Sequence, residues 1–227
     1  MAKKGESMVW DKEYESGQRI WGDTPTELAV ITIKYLQNNP LNHKLLSILD
    51  IGCGYGQNSF FLAKHLNCSI FGIDASQKAI EMAMAMAMAN SMVDHTKAVR
   101  FKCCNFMDFG NGKYDIVFVA NLYQILQKKQ REELRKKIAN FLKPKGLLFL
   151  NTLSTNDPQE YGKGEPCPDE AHSFKSKKYL HFCTGEELDR DFQYLSIKEL
   201  YEHEYNEPRV HGDIHHHISW ILLGELA

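Results

Sequence analysis

An α/β fold is predicted: a doubly wound sheet of seven strands, mostly parallel with an antiparallel C-terminal strand, and with helices on both faces. Three observations predict it. Short apolar runs alternate with helical patterns from about Leu46 to Thr152, the mark of parallel strands joined by helical crossovers. The first of these runs, Ile48-Leu49-Asp50-Ile51, breaks into glycines at alternate positions, Gly52, Gly54 and Gly56, and then into a helical pattern. The last third abandons the alternation. Residues 196–205 and 215–223 read there as two strands joined by a loop through Pro208 and Gly212.

The elements follow in order. The stretch from Val9 to Gly22 holds Trp10, Tyr14, Arg19 and Trp21 among polar neighbours. Thr24-Pro25 opens a helix, since a proline's missing amide does no harm in the first turn. Leu28, Ile31, Tyr35 and Leu36 form its apolar stripe, and Asn38-Asn39-Pro40 ends it. A strand from about Leu46 to Ile51 feeds the glycines and a helix to about Leu66. Cys68 to Ile73 reads as the second strand, ending at Asp74, and Ser76 caps the next helix. Met and Ala alternate from Met82 to Ala89, but both are strong helix formers. A partly buried helix of simple composition is favoured there over a Met-rich binding face. Val99 to Cys104 and Tyr114 to Ala120 are strands three and four. Lys128 to Leu142 is a charged amphipathic helix with a solvated outer face. Pro144-Lys145-Gly146 stops it before strand five, Leu147 to Thr152. Ser154 to Lys178 is rich in Pro, Gly and charge without a period, as in a long irregular insertion. Thr184 and Glu187 form a capping box for a short helix.

A chain of 227 residues suits one domain, with residues 1–40 as an N-terminal helix and lid and 153–180 as an insertion over the strand ends. Hydrophobic residues at 43% and charged residues at 25% are the profile of a soluble globular protein. A net charge of -2 leaves no global attraction to nucleic acid or a membrane surface. No secretory signal or bilayer-length apolar run is visible, so a cytoplasmic location is expected, as a monomer or homodimer. The six cysteines form no C-x-x-C pair and no zinc spacing, and read as reduced, mainly packed thiols.

Strand, glycine turn and helix bring a polar ligand against bare backbone, beside the unpaired amides of a helix start. The plain alternative is a tight connection with no ligand. The pattern D-x-G-x-G-x-G, with Asp50 before the glycines, differs from the dinucleotide turn G-x-G-x-x-G. It resembles motif I of the class I S-adenosylmethionine-dependent methyltransferases. An acid suits the cationic groups of that donor, and a helix start suits its carboxylate. The resemblance extends over nearly the whole chain and implies a Rossmann-like fold. Asp74, 18 positions past Gly56, stands where the family binds the two ribose hydroxyls; otherwise it is a helix-start acid. Ala75 stands near the adenine. Asn105 and Phe106 follow strand three, where the family often has an acid for the adenine amine; Asn105 is a departure, and Asp108 is the alternative. Asp115, Asn121, Leu122 and Tyr123 sit at the fourth-strand motif, with Asn121 and Tyr123 facing the donor. The resemblance further implies donor contacts from Gly52, Gly54, Gly56 and Asn58. Leu142-Lys143-Pro144-Lys145-Gly146 is similar to the family's turn before strand five. The loop Gly52 to Ser59 is similar to that of the tellurite-resistance methyltransferases, and the aromatic N-terminus to the thiopurine methyltransferases.

The resemblance implies methyl transfer to a small molecule by in-line displacement, with S-adenosylmethionine as donor and no metal. Methylation of a protein or RNA, or donor binding without catalysis, are the alternatives. A nicotinamide-dependent oxidoreductase is disfavoured by the glycine spacing. A sulfonium invites aromatic faces, and Trp10, Tyr14, Trp21 and Tyr123 are candidates; the first three equally suit a staple on the first helix. Amine or hydroxyl acceptors need a base, for which His181, His172 and His211 are placed; a soft nucleophile needs none. His215 and His217 share one strand face, and the cluster of His211, His215, His216 and His217 reads as packing, base or, least of all, metal site.

Overall fold

The computed structural model describes residues 10–12, 14, 15, 22, 24–38, 44–89, 99–110, 112–207 and 215–227. Seven strands form the main sheet: β1 (Leu46–Ile51), β2 (Cys68–Asp74), β3 (Val99–Cys103), β4 (Tyr114–Val119), β5 (Leu142–Leu153), β9 (Leu195–Glu207) and β10 (His215–Leu226). Their order across the sheet is β3-β2-β1-β4-β5-β10-β9. β1 to β5 pair in parallel, and β10 runs antiparallel between β5 and β9. The seven-stranded sheet expected from the alternation is the sheet observed. β1 and β4 carry near-continuous apolar runs because helices cover both their faces.

One face is covered by α1 (Glu27–Gln37), α2 (Gln57–His65) and α3 (Gln77–Ala89), whose buried residues pack on Ile48, Ile70, Phe118 and Phe149. The other is covered by α4 (Lys128–Phe141) and α5 (Gly185–Asp191), packed on Leu49, Val117, Leu148 and Leu222. α1 begins at Glu27, so Pro25 precedes the helix rather than opening it. Its cap residue Thr26 donates from both amide and hydroxyl to Asn58 Oδ1, at 2.9 and 3.1 Å, which ties α1 to the start of α2. Ser76 accepts the Ala79 amide and caps α3. α3 turns Ala79, Ile80, Ala83 and Ala87 inward and leaves Met84 and Met88 exposed, a plain packed helix.

Two regions differ from the sequence expectation. The stretch after Ser154 is not irregular throughout: β6 (Glu165–Pro166), β7 (Ser173–Lys175) and β8 (Tyr179–His181) form a small antiparallel sheet. Tyr161, Phe174 and Phe182 meet edge to face beneath it. The outer face of α4 is not wholly solvated, because Arg131 is buried under that small sheet.

Candidate functional site

The carboxyl ends of β1, β2, β4 and β5 open on one cavity of about 920 Å³. It sits where the strand order reverses between β1 and β4, the position at which doubly wound sheets bind ligands. Gly52 and Gly54 line it, both at positive φ. A Cβ on Gly54 would stand 3.1 Å from the Tyr14 hydroxyl, so that close approach needs the bare backbone. The Gly52 and Cys53 amides donate to the Ile73 carbonyl and stitch the turn to β2. Asp74 ends β2 and lines the cavity; its Oδ2 accepts the Gly54 amide at 2.9 Å and its Oδ1 the Ser76 amide at 2.8 Å. Burial pushes its carboxyl above the ordinary range, the Ser76 and Gly54 amides pull it back, and the nearby Asp11 charge adds to the rise.

Two residues of the glycine motif lie elsewhere. Asp50 is 1% exposed and does not line the cavity. It accepts the Ser59 hydroxyl at 2.6 Å, and so fastens α2 to β1 instead of facing a cation. Gly56 also lies behind the cavity wall. A Cβ there would stand 2.6 Å from the Phe101 ring, so this glycine makes room for packing.

The N-terminal segment crosses the turn. Asp11 accepts the Ser76 hydroxyl at 2.6 Å at the start of α3, where a negative charge is favoured. Tyr14 is buried edge-on against Tyr55, whose hydroxyl donates to the Gly22 carbonyl. Trp10 lines the cavity, with Lys178 Nζ 4.7 Å above its ring. Trp21 and His211 fall outside the described residues.

Ala75, Asn105, Phe106 and Asp108 line the end near β2 and β3. Asn105 Oδ1, the acceptor expected for adenine, already takes the Met107 amide at 2.9 Å in a local turn. Asn121, at φ 54°, donates its amide to Asn151 Oδ1, and Asn151 Nδ2 returns a bond to Asn121 Oδ1 at 2.7 Å. Asparagine tolerates this left-handed conformation, and the reciprocal pair fixes two amide groups on the cavity wall. Asn58 lines the wall too, its carbonyl committed to Thr26. Gln57 and Gln124 also line this cavity, and their Oε1 atoms are buried without a hydrogen-bond partner among the described residues.

Two residues expected at the site, Tyr123 facing the donor and His181 as a base, do not line it. Tyr123 is fully buried on the α4 side of the sheet, its hydroxyl donating to Asp191 and accepting from Arg135 Nη1 at 3.0 Å. Burial drives that phenol above its ordinary pKa, and the Arg135 charge opposes the rise. His181 is 2% exposed, with Nδ1 on Ser173 and Nε2 on Glu187, so both ring nitrogens are engaged. It lies, with Cys183 and Glu187, in a group that could in principle ligate a metal, but Glu187 also faces the Arg131 guanidinium at 3.9 Å. Asp115 lies at the opposite end of β4, bonded to Ser47 and Lys143.

The far end of the cavity holds residues that no sequence pattern singles out as a unit. His217 on β10 lines it, as do Tyr205 and Glu207 on β9. Its Nδ1 lies 2.9 Å from Asp157 Oδ2, in the turn after β5. Burial raises the Asp157 carboxyl, but the bonds from His217 and the Glu160 and Ile218 amides outweigh it and hold it below the ordinary range. The sharing of a strand face by His215 and His217 was the legible signal; the partner 60 residues away was not.

Residues 48–146 match the family described as a methyltransferase domain. Over 117 residues the chain is 25% identical to a ubiquinone biosynthesis O-methyltransferase of Neisseria meningitidis, covering 50% of this chain and 46% of that one. The chain thus spans about half the length of such relatives. A solved S-adenosylmethionine-dependent methyltransferase of Methanosarcina mazei superposes with a TM-score of 0.69 at 23% identity, over 81% of this chain and 93% of its own. The magnesium protoporphyrin IX methyltransferase of Synechocystis PCC 6803, solved with S-adenosylhomocysteine, gives 0.69 at 16% identity, over 97% and 99%. No described helix is long and apolar enough to cross a membrane. The glycine turn, the strand order with its antiparallel β10 and these likenesses agree: residues 48–146 match a methyltransferase domain, within a chain that has the fold of the class I S-adenosylmethionine-dependent methyltransferases.

Proposed function

We propose that the protein transfers a methyl group from S-adenosylmethionine to a small-molecule acceptor and releases S-adenosylhomocysteine. The observation that carries this reading is the single cavity, lined at one end by Gly54 and Asp74 and at the other by Tyr205 and His217. Its volume of about 920 Å³ is near the top of the range for small-molecule sites, which leaves room for an acceptor beside the donor. The residues suit the donor. Asp74 offers carboxylate oxygens to two ribose hydroxyls. Gln57 and Gln124 add amide side chains to the same wall. Trp10, Tyr14 and Tyr55 put aromatic surface on the same wall.

Bound S-adenosylmethionine supplies an electrophilic methyl on a cationic sulfur. The protein's part is to hold the acceptor in line and exclude water, and such positioning contributes roughly 7–11 kcal/mol. Trp10 with Lys178, and Tyr14 over Gly54, support a closing role for the N-terminal segment. The small-molecule substrates in the names of the quinone and porphyrin methyltransferases support an acceptor of that kind.

Thermal melting with each cofactor tests the reading. S-adenosylhomocysteine at 100 times its dissociation constant is expected to add about 2.7 kcal/mol, and NAD nothing. Stabilisation by NAD and not by S-adenosylhomocysteine would overturn it. Donor binding without product across thiol, amine, hydroxyl and carboxylate acceptors would move it to a non-catalytic binder.

A further inference from the structure

We propose that His217, held by Asp157, is the general base that takes the proton from a phenolic or enolic hydroxyl of the acceptor. This rests on the methyl-transfer reading above and names the acceptor class.

The geometry separates His217 from the other described histidines. An ionised carboxylate only accepts, so the 2.9 Å bond to Asp157 Oδ2 requires the hydrogen on Nδ1. The lone pair then lies on Nε2. His217 is 6% exposed and lines the cavity, so that lone pair is set beside space for a ligand. Asp157 is itself fixed: its Oδ1 accepts the Gln159 and Glu160 amides, and its Oδ2 also accepts the Ile218 amide. It acts through His217 and is a positioning residue. Glu207 Oε2 stands 3.8 Å from Nε2, where its charge favours the imidazolium once the proton arrives. Tyr205 and His215 pack on the ring from β9 and β10, completing the titratable groups shown in contact with it among the described residues. His181 offers no such lone pair, since Ser173 and Glu187 take both its nitrogens.

A base of this kind selects among acceptors. A thiolate attacks without one, and an amine needs a base only to shed the proton of its ammonium form, since the neutral amine already carries the attacking lone pair. A hydroxyl must lose its proton as it attacks. A phenol, with a pKa of about 10, lies within a few units of imidazole at about 6.5. As the O–H bond breaks, the proton passes to Nε2. The freed electron pair forms the new O–C bond to the methyl, and the old S–C pair stays on sulfur as the neutral thioether. The proton then leaves to solvent, so one proton is released per turnover.

Two measurements test this on the full chain. The first needs no acceptor. With S-adenosylhomocysteine bound, nitrogen NMR of His217 in its neutral form, assigned by its loss in His217→Asn, is expected to show the Nδ1–H tautomer. Asp157→Asn is expected to mix the tautomers. An Nε2–H tautomer would overturn the proposal. The second compares phenol and catechol with their thiol counterparts. Asparagine keeps a donor for Asp157 but has no basic nitrogen. His217→Asn is expected to hold the calorimetric donor affinity within about threefold, lower kcat toward the phenols at least roughly 100-fold and abolish the ascending limb of the pH profile. Methylation of thiols but not phenols, or full phenol activity in the variant, would also overturn it. Absence of donor binding marks failure of the methyl-transfer reading instead. If the donor binds and no probe turns over, the tautomer decides.

Discussion

Burial pushes the Asp50 carboxyl from an ordinary value of 3.8 up to about 7, against the pull of the Ser59 hydroxyl and with a push from the Asp74 charge. Unfolded, the group loses its proton near 3.8; folded, it keeps it to about 7. Between those values the native state binds the extra proton, so stability falls as pH rises through the window and levels off above it. The difference is worth roughly 4 kcal/mol at most. Asp50→Asn is expected to flatten the fall seen by urea denaturation between about pH 4 and pH 7, leaving only what Asp74, also raised by burial, contributes with the same sign. An unchanged slope would contradict the assignment. Asp74 has the cavity before it, and Asp74→Ala is expected to weaken calorimetric binding of S-adenosylmethionine. At about 1.5–3 kcal/mol per charged hydrogen bond, the loss is roughly tenfold or more. The family resemblance of the glycine motif and of the end of strand two implied that both acids face the donor. Only burial distinguishes them, because whether a side chain at a strand end faces the cavity or the helix behind it depends on packing that spacing does not encode.

At the scale of elements, the small sheet of β6, β7 and β8 is held by one arginine. Arg131 on α4 is buried, pairs with Glu170, and donates from Nη1 to the Leu126 carbonyl at 2.7 Å and to the Tyr179 hydroxyl at 3.1 Å. Burial disfavours its charge, and the Glu170 and Tyr179 bonds more than compensate. Removing one partner of such a pair strands the other, at a cost of about 3–5 kcal/mol. Arg131→Met is expected to lower stability by that order and to speed hydrogen exchange across residues 165–181 more than in β1 and β4. Uniform acceleration would show that the arginine serves the whole core instead. This element was not legible. Strands of two or three residues are too short to display a period of two, and their anchor lies 39 residues before Glu170 on a helix whose charges read as solvated.

For the whole molecule, the seven-stranded sheet was legible because apolar runs alternate with helical patterns along most of the chain, although β3 carries exposed Arg100 and Lys102 and no described helix joins it to β4. Gly52, Gly54, Asp74, Ala75 and Asn121, expected at the site, all line one end of the cavity. The end formed by β9 and β10 was not legible. Tyr123 and His181 were read toward the cavity, but Tyr123 turns under the sheet to Arg135 and His181 turns to Ser173 and Glu187. His217 reaches the cavity because β10 runs antiparallel, which brings its first residues beyond the carboxyl end of β5. The cavity is walled by the N-terminal segment, both halves of the sheet and the 177–180 stretch. The stabilisation by S-adenosylhomocysteine is therefore expected to move a single unfolding transition in calorimetry, and not to split it in two.

The Arg131 anchor also bears on how this chain can change over time. The part of the wall formed by residues 177–180 belongs to a small sheet with its own aromatic underside at Tyr161, Phe174 and Phe182. Its tie to the crossover helix is a short set of side chains, Arg131, Glu170 and Tyr179. Such a unit is portable. Exchanging it between related proteins would alter what the cavity admits while sparing the donor end, provided the three side chains travel together. A graft that omitted Arg131 would bring a foreign glutamate into a buried place with no cation to meet it.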